Sequence, residues 1–210
     1  MCSITASFNT DKLIELAKMN EYRGTHSHSI CYVRPGRMNV IQELKKGYGP
    51  LPYDEINIPS GMYGIVHQQA PTTDSKDKAS IHPAQIGNRL LWHNGIVKDG
   101  EIKRLNEFHM TNYAWDTSLI LRQLIDYGHP DNIDGTFSCV YFDSERILVF
   151  RNEISPLFID DDLNISSTKF DGSEALPANE MFELDLWMFP GYTKIGRDFR
   201  TVENPYFFGE

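Results

Sequence analysis

Apolar and polar positions alternate through much of this chain, and a period of two predicts strands. Residues 2–8 alternate in this way and are followed by Asn9-Thr10, a good N-cap for a helix carrying Leu13, Leu16 and Ala17 on one face. Strands are expected at 29–33 and 62–67, then a polar loop over 68–82. Residues 89–93 and 96–97 read as two strands around a turn at Asn94-Gly95, a strong short hairpin signal. Asp116 or Thr117 is expected to cap a second helix with Ile120, Leu124 and Tyr127 on one face, stopped by Gly128 and Pro130. A further hairpin pairs 136–142 with 147–151 around Asp143-Ser144-Glu145, and short strands follow at 157–159, 165–167 and 181–186. Many strands and two well-marked helices predict sheets covered by helices in layers.

Composition narrows the function more than the fold. The 210 residues suffice for one large domain with a full core, and no linker, repeat or low-complexity tract divides them. A net charge of −9 argues against a nucleic-acid or anionic-membrane partner. No apolar run approaches the ~20 residues of a membrane helix, and no signal-peptide core opens the chain. Cys2, Cys31 and Cys139 are too few and too far apart for a disulfide framework or zinc site, so a reducing cytoplasm is expected. His26 and His28 share a face if strand-borne but lack a third ligand, so no metal is expected. Asp160-Asp161-Asp162 reads as a solvated turn, and Tyr206-Phe207-Phe208 is expected to dock back onto the domain.

Cys2 follows Met1 directly. Removal of Met1 would place a thiol and a free α-amine on one carbon. A thiol of pKa ~8.5 needs a base at neutral pH, and an α-amine of roughly 7.7–8.0 is well matched to take its proton. By itself an N-terminal cysteine is better explained as part of a buried first strand.

Four segments give it company: Cys2; Glu21-Tyr22-Arg23-Gly24 with Ser27 and Ser29; Gly64-Ile65-Val66-His67, Ala70-Pro71-Thr72, His82-Pro83 and Trp92-His93-Asn94-Gly95-Ile96-Val97; and Trp115-Asp116-Thr117. Their order and spacing resemble the glutaminase domain of class II glutamine amidotransferases, which are N-terminal-nucleophile hydrolases. The resemblance continues through Gly135-Thr136-Phe137, Arg151 and Ser155-Pro156-Leu157, covering roughly residues 2–190.

The resemblance implies an α+β fold, a four-layer αββα sandwich, with 1–210 as a single domain. It implies Cys2 as nucleophile, its α-amine as base, and the Asn94 amide with the Gly95 N–H as oxyanion donors. Asp116 is matched to the carboxylate that binds the substrate α-ammonium, Arg23 to a group ordering the chain around the nucleophile, and His67, His82 and His93 to support of the site, with His93 also expected among the substrate-binding residues. Thr72 is matched to a second donor to the substrate. One position departs from the family pattern. Where an arginine is expected to bind the glutamine α-carboxylate stands Gln69, which cannot offer a charge-assisted fork. Arg89 and Arg151 are candidates to restore the charge.

The expected activity is hydrolysis of the glutamine side-chain amide, without cofactor. About twenty residues follow the matched stretch and hold no P-loop or dinucleotide fingerprint, so the ammonia acceptor is expected to be a separate enzyme. Two alternatives stand beside it: a stand-alone hydrolase of another γ-glutamyl or acyl amide, and a non-catalytic module retaining the fold.

Overall fold

The computed structural model describes residues 2–70 and 80–202. Two antiparallel sheets lie face to face. The first has seven strands: β1 (Ser3–Ser7), β2 (Ser27–Arg34), β3 (Val40–Tyr48), β4 (Tyr63–Gln69), β9 (Phe158–Ile159), β10 (Ile165–Ser166) and β11 (Glu174–Ala175), in the order β11-β9-β10-β1-β4-β2-β3. The second has six: β5 (Ala84–Ile86), β6 (Arg89–Val97), β7 (Gly135–Phe142), β8 (Ile147–Arg151), β12 (Met181–Asp185) and β13 (Gly191–Ile195), in the order β13-β12-β8-β7-β6-β5. Helix α1 (Thr10–Met19) covers the first sheet, and α2 (Asp99–His109) and α3 (Asp116–Tyr127) cover the second. The four-layer αββα arrangement is therefore present.

Alternation decides which residues enter the space between the sheets. Ile4 and Ala6 of β1, Tyr63 and Ile65 of β4, and Cys31 and Val33 of β2 meet Leu90 and Trp92 of β6 and Val140 and Phe142 of β7. Burying each such side chain contributes roughly 1.5–3 kcal/mol. The opposite faces pack on helices: Ile30 and Val66 against Leu13 and Ala17, and Leu91, Phe137 and Cys139 against Leu119, Ile120 and Leu124. Cys2 has the parity of Ile4 and Ala6, and Asn94 that of Trp92 and Leu90. Both therefore belong to the inter-sheet faces, at the same end of the sandwich.

Several expectations need correction. Asn94-Gly95 is not a turn: β6 runs unbroken, with Asn94 opposite Ser138 and Gly95 opposite Phe137. The hairpin lies earlier, where β5 returns into β6 at Gly87-Asn88. Gln68 and Gln69 are in β4 and not in a loop. Neither Asp116 nor Thr117 caps α3; Trp115 stands at the N-cap and Asp116 is the first helical residue. Strands β3, β5, β11 and β13 and helix α2 were unexpected. The α2 segment is mostly polar, buries only Glu101 and Leu105, and begins with Asp99-Gly100. Met1, Thr72 and Tyr206-Phe207-Phe208 lie outside the described residues.

Candidate active site

Cys2 leaves the end of β1 and is buried. Two neighbours hold the chain there. The Arg23 Nε donates to the Cys2 carbonyl at 2.9 Å, and the Cys2 thiol lies 3.7 Å from the Ala70 carbonyl oxygen as its donor. Arg23 itself is buried. Gly24 then lets the chain pass close to β4: a Cβ there would lie 2.8 Å from the Gln69 oxygen and collide with the Ala70 nitrogen. Arg23→Met is expected to cost roughly 1–3 kcal/mol, by leaving the Cys2 carbonyl unpaired, and thermal unfolding measures it.

Burial pushes the Cys2 thiol up to about 11, and the nearby Asp116 carboxylate acts in the same direction, against the Ala70 hydrogen bond and Arg23. The thiol is therefore protonated at neutral pH and needs a base placed against it.

The open edge of β6 faces this region. His93 and Val97 show which way that edge points, since in an antiparallel strand a residue's N–H and C=O point to the same side and every second residue repeats the direction. The His93 carbonyl accepts from His67 Nε2 at 3.0 Å, and the Val97 N–H donates to Asp116 Oδ2 at 3.1 Å. Gly95 lies between them in this period, so its N–H leaves the strand toward the same side. Gly95 adopts φ +156°, and a Cβ on it would run into the Thr136 carbonyl and lie 2.7 Å from His93 Nε2. The adjacent Asn94 is buried, with its amide nitrogen 3.4 Å from Ser138 Oγ, a long bond that leaves donor capacity.

Asp116 sits where α3 begins, which favours a carboxylate electrostatically. Its Oδ1 accepts from the Thr117 N–H at 2.7 Å. With Val97 on the other oxygen, the carboxylate is fixed in orientation yet only partly buried, so free lone pairs can meet a cation.

Three histidines brace these parts. His67 and His82 stack with ring centroids 4.0 Å apart, and His82 packs edge-on against Trp115. Thr117 Oγ1 lies 3.1 Å from His82 Nε2 and 3.2 Å from His93 Nδ1, while His93 Nε2 lies 3.2 Å from the Thr136 carbonyl. His93 thus serves as a brace between α3 and β7. Lys46 donates to the Ile81 and Pro83 carbonyls at 2.7 and 2.6 Å, fixing the segment that carries His82, and its burial lowers its own pKa to about 8. Lys46 escaped the sequence analysis. Its only signal is the alternation of β3, which puts it opposite Ser29 and hence in register with His67.

Burial holds His67 down at about 3 and His82 well below the usual histidine range. Depressed folded-state values mean that the unfolded chain takes up protons first as pH falls. Their contribution is full above about pH 6.5 and is lost as pH falls toward the folded values. Urea unfolding is expected to show His67 alone removing roughly 2 kcal/mol between about pH 7.5 and 5, with His82 acting in the same direction.

Gln69 is in register with Ser27, and extending the β1–β4 pairing puts it beside Cys2. Its amide nitrogen donates to the Ser80 carbonyl at 3.0 Å, while its oxygen takes Ser27 Oγ and His82 Nδ1, each at 3.2 Å. The amide is used in internal bonds. Arg151 is turned to the Leu176 and Asn152 carbonyls, and Arg89 lies at the opposite end of β6 from Asn94. Neither restores the charge. His26 and His28 have separate local partners, Ser27 Oγ and the Gly49 carbonyl. All three cysteines are free thiols, and no helix among the described residues is long and apolar enough to cross a membrane.

No protein-family model matches the sequence, and no curated protein matches it. Solved structures do. Glutamine phosphoribosylpyrophosphate amidotransferase from B. subtilis, complexed with ADP and GMP, superposes with a TM-score of 0.65 over 95% of this chain at 14% identity. A structure described as the allosteric regulatory enzyme of purine biosynthesis gives 0.61 over 95% at 15% identity. The chain spans about half the length of each, 50% in both cases. At these identities the likeness is one of fold. The chain shares the four-layer αββα fold of both structures.

Proposed function

We propose that this chain is a single glutaminase domain of the class II amidotransferase type, with Cys2 as nucleophile once Met1 is removed. The observation that carries the proposal is the meeting of four groups at one end of the sandwich. Cys2 is held by Arg23, the Gly95 N–H and Asn94 amide are presented along one strand, and Asp116 is oriented at the mouth of α3.

The α-amine of Cys2 takes the thiol proton, and the sulfur adds to the carboxamide carbon of glutamine. Asn94 and Gly95 donate to the oxyanion that forms, each such donor in a dry site being worth a few kcal/mol. The amine returns its proton to the leaving nitrogen, which departs as ammonia and leaves a γ-glutamyl thioester. Water, deprotonated by the same amine, adds to the thioester; the sulfur leaves as thiol and glutamate is released. Asp116 pairs with the substrate α-ammonium, and His93 contributes by holding Thr117 and the Thr136 strand. Thr72 stays a candidate donor to the substrate. No cofactor enters this chemistry.

Ammonia released into neutral water becomes ammonium and loses its nucleophilic lone pair. We therefore propose transfer to a separate, docked acceptor enzyme. A net charge of −9 disfavours nucleic acid as partner, and the unpaired thiols suit a reducing cytoplasm.

A second substrate class is favoured by Gln69 alone. With its amide bound to Ser80, Ser27 and His82, it gives a substrate carboxylate no charge-assisted partner. Ammonia release from glutamine, compared with release from γ-glutamyl amides lacking the α-carboxylate, separates the two. Turnover of glutamine that depends on its carboxylate supports the first proposal. Equal turnover of both supports the wider amide specificity. No turnover of either, with Met1 absent, indicates a non-catalytic module.

A further inference from the structure

The end of the sandwich opposite Cys2 carries two apolar features without partners among the described residues. The connection between β12 and β13 ends in Trp187-Met188-Phe189, exposed by 44%, 68% and 79%. Three consecutive large apolar residues in solvent are unfavourable unless something covers them. Across the same end, β3 and the β5–β6 hairpin open onto an apolar groove of about 450 Å³. Met38, Val40, Ile41, Leu44, Leu90 and Phe142 line it.

Strand directions place both features at this end. β1 runs from Cys2 toward Ser7, β2 from Ser27 toward Arg34, and β7 from Gly135 toward Phe142. β12 runs from Met181, opposite Phe150, to Asp185 beyond Ile147. The protruding tip is on the β12–β13 flank and the groove on the β3–β5 flank, at opposite ends of the strand orders.

Their charges are complementary. Around the tip stand Asp160, Asp161, Asp162 and Asp185; Pro190 lines a common cleft with the first three and with Lys12, whose charge is answered by Glu15. Around the groove stand Arg34, opposite Val40 in register, Arg37 and Arg89. Arg146 there is answered by Asp143, leaving Glu145 as the opposing charge.

We infer that this end is a self-association surface, in which the Trp187–Phe189 tip of one copy enters the groove of a second copy and receives that copy's tip in return. A two-fold axis lying in the contact plane exchanges the two flanks, so both junctions form at once and the contact closes at two copies. Each aromatic side chain of this size covers about 150–250 Å² when fully buried. Two tips and two grooves together reach the order of 1,200–2,000 Å² that stable interfaces bury. The arrangement directs the two Cys2 ends outward, where each is accessible to an acceptor.

Sedimentation velocity across a micromolar concentration series tests this on the purified full chain. The wild type is expected to be a dimer and no larger. Phe189→Glu on the tip and Val40→Glu at the groove should each weaken association by at least about a hundredfold, with unchanged circular dichroism and melting because both side chains are exposed. An equimolar mixture of the two variants retains one intact junction and should recover a heterodimer that neither variant forms alone. A monomeric wild type, a dimer indifferent to both substitutions, or growth into open chains overturns the inference. A monomer that dimerises only after residues 203–210 are deleted also overturns it, by assigning the groove to the chain's own C-terminus.

Discussion

Cys2→Ala is expected to remove amide hydrolysis, lowering kcat by at least about a thousandfold. The melting temperature should stay within about 2 °C of wild type, since the lost thiol makes one long contact to the Ala70 carbonyl. The size of the effect follows from the absence of a substitute. Cys31 and Cys139 are buried in the apolar layers, and burial pushes both thiols far above the usual range. Cys2→Ser is expected to be nearly as inactive, because an alcohol is much harder to deprotonate. Met1 should matter almost as much as the thiol. With the thiol held at about 11, about one molecule in ten thousand is thiolate at pH 7. A retained Met1 converts the base into an amide, so a preparation that keeps it should be silent with every residue in place. Ammonia release, paired with the melting curve, distinguishes lost chemistry from lost structure.

Gly95→Ala is the second large effect, and it acts on fold and chemistry together. The methyl group would drive into the Thr136 carbonyl and press on His93 Nε2, and neither can retreat. Thr136 lies in β7, an interior strand of the second sheet, and His93 is tied to Thr117. A loss of at least about 3 kcal/mol in urea unfolding is expected. At least a roughly hundredfold fall in kcat is also expected, because the displaced strand carries the oxyanion donors. Asn94→Ala separates the two consequences. It removes one donor whose bond among the described residues is the 3.4 Å contact to Ser138, so stability should fall less. Its kcat should still drop by about a hundred- to a thousandfold. Equal activity losses with very different stability losses would identify β6 as the element that presents the oxyanion donors.

Much of the fold is legible from alternation, because strands buried on both faces, such as β1, β4 and β7, are bounded by recognisable turns. Both marked helices formed where Leu13, Leu16 and Ala17, or Ile120 and Leu124, define a stripe. Failures came where tertiary contacts outweigh local preference. Asn94-Gly95 has the chemistry of a hairpin turn, yet glycine is required there because Thr136 crowds the strand. β3 is an edge strand with a largely polar pattern, and α2 buries a glutamate, Glu101, through Arg104 and the Asp134 N–H. Within the proposed site, Cys2, Asn94, Gly95 and Asp116 could be named in advance because the family resemblance implies them, on residue types that suit the chemistry. Lys46 could not, and Ser27 and Thr117 were visible only as motif members, since their contacts to Gln69 and to the histidines arise from the tertiary fold. Gln69 was legible as a departure, but only the structure shows its amide engaged with Ser80 and His82.

The most direct measurement is intact and N-terminal mass spectrometry after incubation with a glutamine-mimicking diazoketone, in parallel with Cys2→Ala. The account predicts a chain lacking Met1, with one stoichiometric adduct on Cys2 and none on the variant. Labelling of Cys31 or Cys139 in its place, or an unmodified Cys2 on a chain that has lost Met1, would contradict a nucleophile seated in a glutamine-shaped pocket.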